Sequence, residues 1–361
     1  MNFIIKFINE ICIYSNYGIL RKSLIKGEIS GFNKYYFIKL FFLFINLLII
    51  INDINEKSSK SYEKHRTKKN IHIAMSLNNN YTYPIMVSLA SIMLNSENTT
   101  FLNFHFLIGA DVITDNINKI SSLQKLNNNS NFFFYKVKNI FKSWKTDRKE
   151  MPEATFYRIL LPDLIKNIDK IIYLDGDTIT YGDLTEMYNL DMSDIFFKGF
   201  REKVNEGEVS FTNISRYICA GVMLMNLKLL RENHAFEQFK KYYYFLTNKG
   251  ILTNDQNIIN AIFTDKIGFL PPKYGIFQMN KNFMKRYKKI KPRVYNKFQL
   301  IYANKKPIIR HIFGKLPAKP WLVKGNYEIK NVWNYYAIQT GYYSLICKFF
   351  QNACINLTNN K

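Results

Sequence analysis

Residues 171–178 read Ile-Ile-Tyr-Leu-Asp-Gly-Asp-Thr, an apolar run that stops abruptly at two carboxylates spaced i and i+2. Such a run suits a buried parallel strand. Open α/β sheets bind their ligands beyond the carboxyl ends of these strands. In extended chain, side chains two apart point the same way, so Asp175 and Asp177 can hold one cation together, and that cation can carry a diphosphate. Two other readings stay open at this level. One is a solvated turn. The other is the phosphohydrolase signature Asp-x-Asp-x-Thr/Val with Asp175 as nucleophile, although the fifth position here is Ile179 and the threonine arrives one place early, at Thr178.

The residues before this point alternate between strand and helix patterns. Ile71 to Leu77 reads as a first parallel strand, followed by the polar turn Asn78-Asn79-Asn80-Tyr81. Pro84 then opens a helix with apolar periodicity from Ile85 to Leu94. A strand is expected near 101–108, a helix near 115–126 and a strand near 131–136. This β-α alternation predicts a Rossmann-like nucleotide-binding half. No Gly-x-Gly-x-x-Gly opens the first turn, which counts against a dinucleotide cofactor.

Further motifs stand in a fixed order. Pro152-Glu153-Ala154-Thr155-Phe156-Tyr157-Arg158-Ile159-Leu160-Leu161-Pro162 precedes the acidic pair. Ala220-Gly221-Val222-Met223-Leu224-Met225-Asn226-Leu227, Asn254-Asp255-Gln256, Leu270-Pro271-Pro272-Lys273-Tyr274 and His311…Gly314…Lys319-Pro320-Trp321 follow it. Together, over roughly residues 70–325, they resemble family 8 glycosyltransferases, the lipopolysaccharide galactosyl- and glucosyltransferases and their glycogenin-like relatives. The resemblance implies a GT-A fold, a mixed but mainly parallel α/β sheet. It also implies a UDP-sugar donor, a divalent cation that is usually manganese, retention of anomeric configuration, and a glycan or glycolipid acceptor.

The resemblance assigns roles residue by residue. Asn78, Asn80 and Tyr81 fall where relatives hold uridine and ribose, with Asn78 in place of the family's acid. Arg158 falls near the donor sugar and diphosphate, where a guanidinium gives planar, bidentate contacts. His311 falls on the third metal ligand beside Asp175 and Asp177, and Gly314 and Lys319 on the diphosphate contacts. Lys315 is a rival for the lysine role, because this loop is two residues longer than in relatives. Two carboxylates, one imidazole and phosphate oxygens suit Mn²⁺ better than cations that favour all-oxygen shells. Asp255 and Gln256 fall beside the anomeric carbon and the sugar hydroxyls, and Ala220 and Gly221 at a close backbone approach to the sugar. Relatives commonly carry Asn or Ser just before that Ala-Gly pair, and this chain carries Cys219. The substitutions at Asn78 and Cys219 raise a further alternative, a catalytically dead sugar- or lipid-binding relative.

Composition bounds the rest. The 361 residues are 47% hydrophobic, enough to bury a sizeable core. The four cysteines, Cys12, Cys219, Cys347 and Cys354, have neither zinc-site nor disulfide-framework spacing. The net charge of +24 is uneven, since residues 271–361 carry 18 lysines and arginines against the single acid Glu328. That excess reads either as a plain solvated surface or as attraction to anionic lipid or to an anionic acceptor. No nucleic-acid-binding motif accompanies it, so nucleic acid is not an expected partner.

Four segments follow from this reading. Residues 1–52 are an extension whose apolar part, about 35–52, is near the lower limit of roughly 17 residues for a membrane-spanning helix and predicts an N-terminal anchor, with an interfacial amphipathic segment or an unstructured extension as the alternatives. Residues 53–70 are charged and read as a linker. Residues 71–325 form the GT-A domain, and 326–361 an aromatic, basic tail expected either to pack on the core or to touch a membrane surface.

Overall fold

The computed structural model describes residues 69–147, 151–202, 216–277, 287, 293–312, 319–321 and 327–350. The expected anchor at 35–52, and Gly314 and Lys315, lie outside them. Among the described residues no helix is long and apolar enough to cross a membrane.

A seven-stranded sheet organises the domain in the order β3-β2-β1-β4-β7-β6-β8. Its strands are β1 (Lys69–Leu77), β2 (Thr100–Ile108), β3 (Ser130–Lys136), β4 (Lys170–Leu174), β6 (Phe197–Arg201), β7 (Ile218–Asn226) and β8 (Ile267–Phe269). β3, β2, β1 and β4 run parallel to one another, β7 enters antiparallel between β4 and β6, and β8 runs parallel to β6. A second, three-stranded sheet has the order β5-β10-β9, from β5 (Thr178–Thr180), β9 (Tyr274–Ile276) and β10 (Ile309–His311). The expected mixed, mainly parallel α/β architecture is therefore present. β1 begins at Lys69, two residues before the expected start, because its ladder to β2 already pairs Lys69 with Thr100.

Alternation along β1 divides the core. Ile71, Ile73, Met75 and Leu77 face one cluster with the helix Thr82–Leu94, while Ala74 joins a second cluster with Tyr173, Phe156 and Met223. The helix Thr82–Leu94 is buried through almost its whole length. Its buried hydroxyls are satisfied by the second sheet: Ser88 Oγ lies 2.9 Å from Thr178 Oγ1, and the Thr180 amide donates to Ser91 Oγ at 3.0 Å. The expected helix at 115–126 is a helix from Thr114 to Ser121 that tightens into a 3₁₀ turn over Ser122–Leu126.

The described part of the tail, 327–350, packs on this core. In and after the helix Tyr327–Gln339, Ile329, Trp333, Tyr336, Ala337, Ile346 and Phe350 are buried in the first cluster. Trp321 meets Trp333, Phe350 and Tyr81, with ring centroids 5.7, 5.6 and 6.3 Å apart. Trp321 thereby bridges the tail and the turn that carries Tyr81.

Candidate active site at the strand ends

Two ladders converge on the acidic pair. The Asp175 amide continues the β4–β7 ladder by donating to the Gly221 carbonyl at 2.8 Å. β10 pairs antiparallel with β5, which sets His311 opposite Thr178, and the Ile312 amide donates to the Asp177 carbonyl at 2.8 Å. Register alone therefore brings His311, 134 positions away in sequence, to the acidic pair.

Asp175, Gly176 and Asp177 form a turn between β4 and β5 rather than extended chain. The carboxylates converge for a different reason than their i, i+2 spacing: the turn folds them around one imidazole. Ligand-capable atoms of Asp175, Asp177 and His311 all lie within 4.8 Å of one another. His311 Nε2 is 3.1 Å from Asp177 Oδ1 and 3.9 Å from Asp175 Oδ2. Lys319 Nζ pairs with Asp177 Oδ2 and donates to the Ile312 carbonyl at 2.8 Å. Burial opposes ionisation of Asp177, but Lys319 and His311 outweigh it and hold its carboxyl well below the usual range. Burial likewise opposes protonation of His311, and Cys219 and Asp177 reverse that, raising its pKa well above the ordinary value.

Arg158 lies in a 3₁₀ segment, Glu153–Leu160, rather than in the regular helix its spacing suggests. Its guanidinium is buried between two acids. Nη2 donates to Asp175 Oδ1 at 3.0 Å, Nη1 to the Ala220 carbonyl, and Nε stands 3.0 Å from Asp255 Oδ2. Its carbon lies 4.3 Å from the Tyr173 ring centroid. The Nε proton is directed to the Thr155 carbonyl at 3.0 Å, so Asp255 Oδ2 has the charge beside it without an aligned hydrogen bond. Thr155 Oγ1 donates to the other Asp255 oxygen at 2.6 Å. Burial still raises the Asp255 pKa against these partners.

Gln256 follows in the helix Asp255–Ile262, whose cap is Asn254. Asn260 of the same helix clamps β7, accepting from the Ile218 amide at 2.7 Å and donating to its carbonyl at 2.9 Å. Gln256 is thereby held beside Ala220, whose amide donates to Gln256 Oε1 at 3.0 Å. Gln256 Nε2 donates to Glu202 Oε2 and Tyr217 Oη, both at 3.1 Å. Gly221 packs under the cluster: a Cβ there would stand 2.3 Å from His311 Cε1 and 2.6 Å from Asp175 Oδ2.

The first turn borders the same site. Asn78 caps a 3₁₀ turn by accepting from the Tyr81 amide at 2.9 Å, and Asn80 is exposed. Burial, Asp177 and Asp175 together raise the Tyr81 pKa. Asn79, which carried no expectation, ties the turn to the loop at Asp111 and to Asn116. Among the expected residues, Asn78, Asn80, Tyr81, Arg158, Asp175, Asp177, Ala220, Gly221, Asp255, Gln256, His311 and Lys319 are described, and Gly314 is not. Thr155, Glu202, Tyr217 and Asn260 were not singled out from sequence. Thr155 stands inside a motif and was findable there, whereas nothing local marks the other three.

A mixed sheet with strand-end carboxylates, joined by a histidine from a second small sheet, defines a GT-A glycosyltransferase. The chain belongs to glycosyl transferase family 8, whose family model matches residues 72–325. It is 27% identical over 236 residues to the glycosyltransferase GlyE of Streptococcus pneumoniae, covering 60% of this chain and 52% of that protein. The chain thus spans about half the length of that relative. It is 24% identical over 293 residues to a lipopolysaccharide 1,2-glucosyltransferase of Escherichia coli, covering 74% and 79%. The solved galactosyltransferase LgtC, in complex with donor and acceptor sugar analogues, superposes with a TM-score of 0.61 at 21% identity, covering 74% of this chain and 96% of that one. At that identity the likeness shows the fold.

Proposed function

We propose that this family 8 enzyme transfers a hexose, glucose or galactose, from a UDP-sugar to a glycan, glycolipid or lipopolysaccharide acceptor, with retention of configuration and a bound Mn²⁺. The observation that carries the reading is the Asp175–Asp177–His311 cluster at the strand ends. Two carboxylates and one imidazole form a mixed oxygen and nitrogen donor set that suits manganese. The missing Cβ of Gly221 leaves the cluster its room. These three side chains would hold the cation, which when bound supplies charge compensation for the UDP leaving group.

The chain's own residues supply the rest. Lys319, beside Asp177, would meet diphosphate oxygens. Arg158 holds Asp175 and Asp255 in fixed relation, and Gln256 presents a carboxamide whose orientation is set by Ala220, Glu202 and Tyr217. Family membership replaces the phosphohydrolase reading of Asp175. A membrane surface is the proposed setting. Phe298 and Tyr302, four apart on the helix Lys297–Lys305, are 82% and 61% exposed, with Lys297, Lys305 and Lys306 exposed around them. UDP release from UDP-glucose, UDP-galactose and UDP-GlcNAc with Mn²⁺ tests the donor. Sugar binding without turnover on any of the three would favour a dead relative instead.

A further inference from the structure

Cys219 lies in β7, two residues before Gly221, and is 2% exposed. Its Sγ is 3.4 Å from Nδ1 of His311. The opposite ring nitrogen, Nε2, faces Asp177 and Asp175. The two nitrogens of one imidazole are thus divided between a carboxylate pocket and a buried thiol.

A nitrogen that ligates a cation must offer its lone pair, so the proton of the neutral ring has to reside on Nδ1. Nδ1–H then needs an acceptor, a task ordinarily done by a carboxylate, a carbonyl or water. In this chain the group at that position is the Cys219 sulfur, a weak acceptor.

We propose that Cys219 is a positioning residue, accepting the Nδ1 proton of His311 and so fixing the tautomer and ring plane in which Nε2 can bind the cation. This rests on the cation reading above. It gives the departure from the family's Asn or Ser a physical meaning, because all three side chains can accept a hydrogen bond. The thiol is not a catalytic residue here, since it reaches the chemistry only through His311.

The test uses the full chain, with Mn²⁺ alone as probe. Free Mn²⁺ is followed by electron paramagnetic resonance, and folding by circular dichroism. Cys219→Ser keeps an acceptor and should bind Mn²⁺ close to wild type, whereas Cys219→Ala should bind about 10–100-fold more weakly. Wild-type affinity in Cys219→Ala would overturn the proposal, as would an equal loss in both variants, which would point to packing. Exchange of the His311 Nδ1 proton, read by nitrogen-15 NMR without metal, decides independently of the cation. Protection in wild type and Cys219→Ser, lost in Cys219→Ala, supports the role, and equal exchange in all three refutes it. Failure of wild type to bind Mn²⁺, with that protection pattern intact, would sink the cation reading and leave the Cys219–His311 bond standing.

Discussion

Gly221 and His311 are in contact so close that only glycine fits: a Cβ on Gly221 would stand 2.3 Å from His311 Cε1. The same Cβ would be 2.6 Å from Asp175 Oδ2. Neither side chain can retreat cheaply, because His311 is anchored by its strand register and Asp175 by Arg158. Gly221→Ala should therefore keep the fold yet displace both ligand groups, lowering kcat/KM by about 100-fold, the scale of an ångström-sized misplacement. Steady-state kinetics beside a thermal melt would check this, and a variant with normal kinetics would show that the site yields.

Asp177 is the acid shared by His311 and Lys319. Asp177→Asn keeps the shape and removes the charge. Mn²⁺-dependent binding of the donor should drop below detection in calorimetry, while far-ultraviolet circular dichroism stays the same. Unchanged donor affinity would remove Asp177 from the cation site.

Arg158 offsets two acids in a dry environment. Truncating it leaves Asp255, 2% exposed, without its cation. Breaking a buried pair from one side costs about 3–5 kcal/mol, so Arg158→Ala should lower the denaturation midpoint well beyond an ordinary surface change. A midpoint equal to wild type would mean that Thr155 alone suffices for Asp255.

How much of this was legible beforehand differs by kind of contact. Apolar runs bounded by polar turns placed β1, β2, β3 and the helix Thr82–Leu94 within a few residues, because elements buried on more than one face read as near-continuous apolar stretches. The acidic pair was legible as a strand-end feature, and the turn it forms was an open reading, since Asp-Gly marks turns, although the i, i+2 spacing argument assumed extended chain. Contacts between distant segments were silent. Thr155 and Asp255 are 100 positions apart, and Gln256 and Glu202 are 54 apart. Only the resemblance connected His311 to the acids, and it did not reveal that Arg158 spends its donors on protein groups.

A histidine pair on β1 and β2 gives a pH prediction. His72 Nδ1 is 3.0 Å from His105 Nε2, and His105 Nδ1 is 3.0 Å from Tyr135 Oη. Burial, reinforced by His72, lowers the His105 pKa to about 3, and burial lowers that of His72. A histidine whose folded pKa is depressed is neutral when folded and protonates first when unfolded. Its stability contribution is whole above the unfolded value near 6.5 and is lost as pH falls toward the folded value. Between pH 6.5 and 5, His105 should cost about 2 kcal/mol of stability, which His105→Gln should remove. Urea titrations of both proteins at the two pH values measure the difference, and parallel losses would exclude His105 as the cause.

Gln256 separates the proposed chemistry from mere sugar binding. Its carboxamide is fixed on three sides by Ala220, Glu202 and Tyr217, which costs conformational freedom that a simple contact residue would not need. Donor affinity, by contrast, should come mainly from the cation cluster and Lys319. Gln256→Ala should then reduce turnover by about 10–100-fold and leave the donor dissociation constant nearly unchanged, because what is lost acts in the transition state. The product of an α-linked UDP-sugar should be α-linked by NMR. A β-linked product would exclude the retaining course, and a loss of donor affinity as large as the loss of turnover would make Gln256 a binding residue instead.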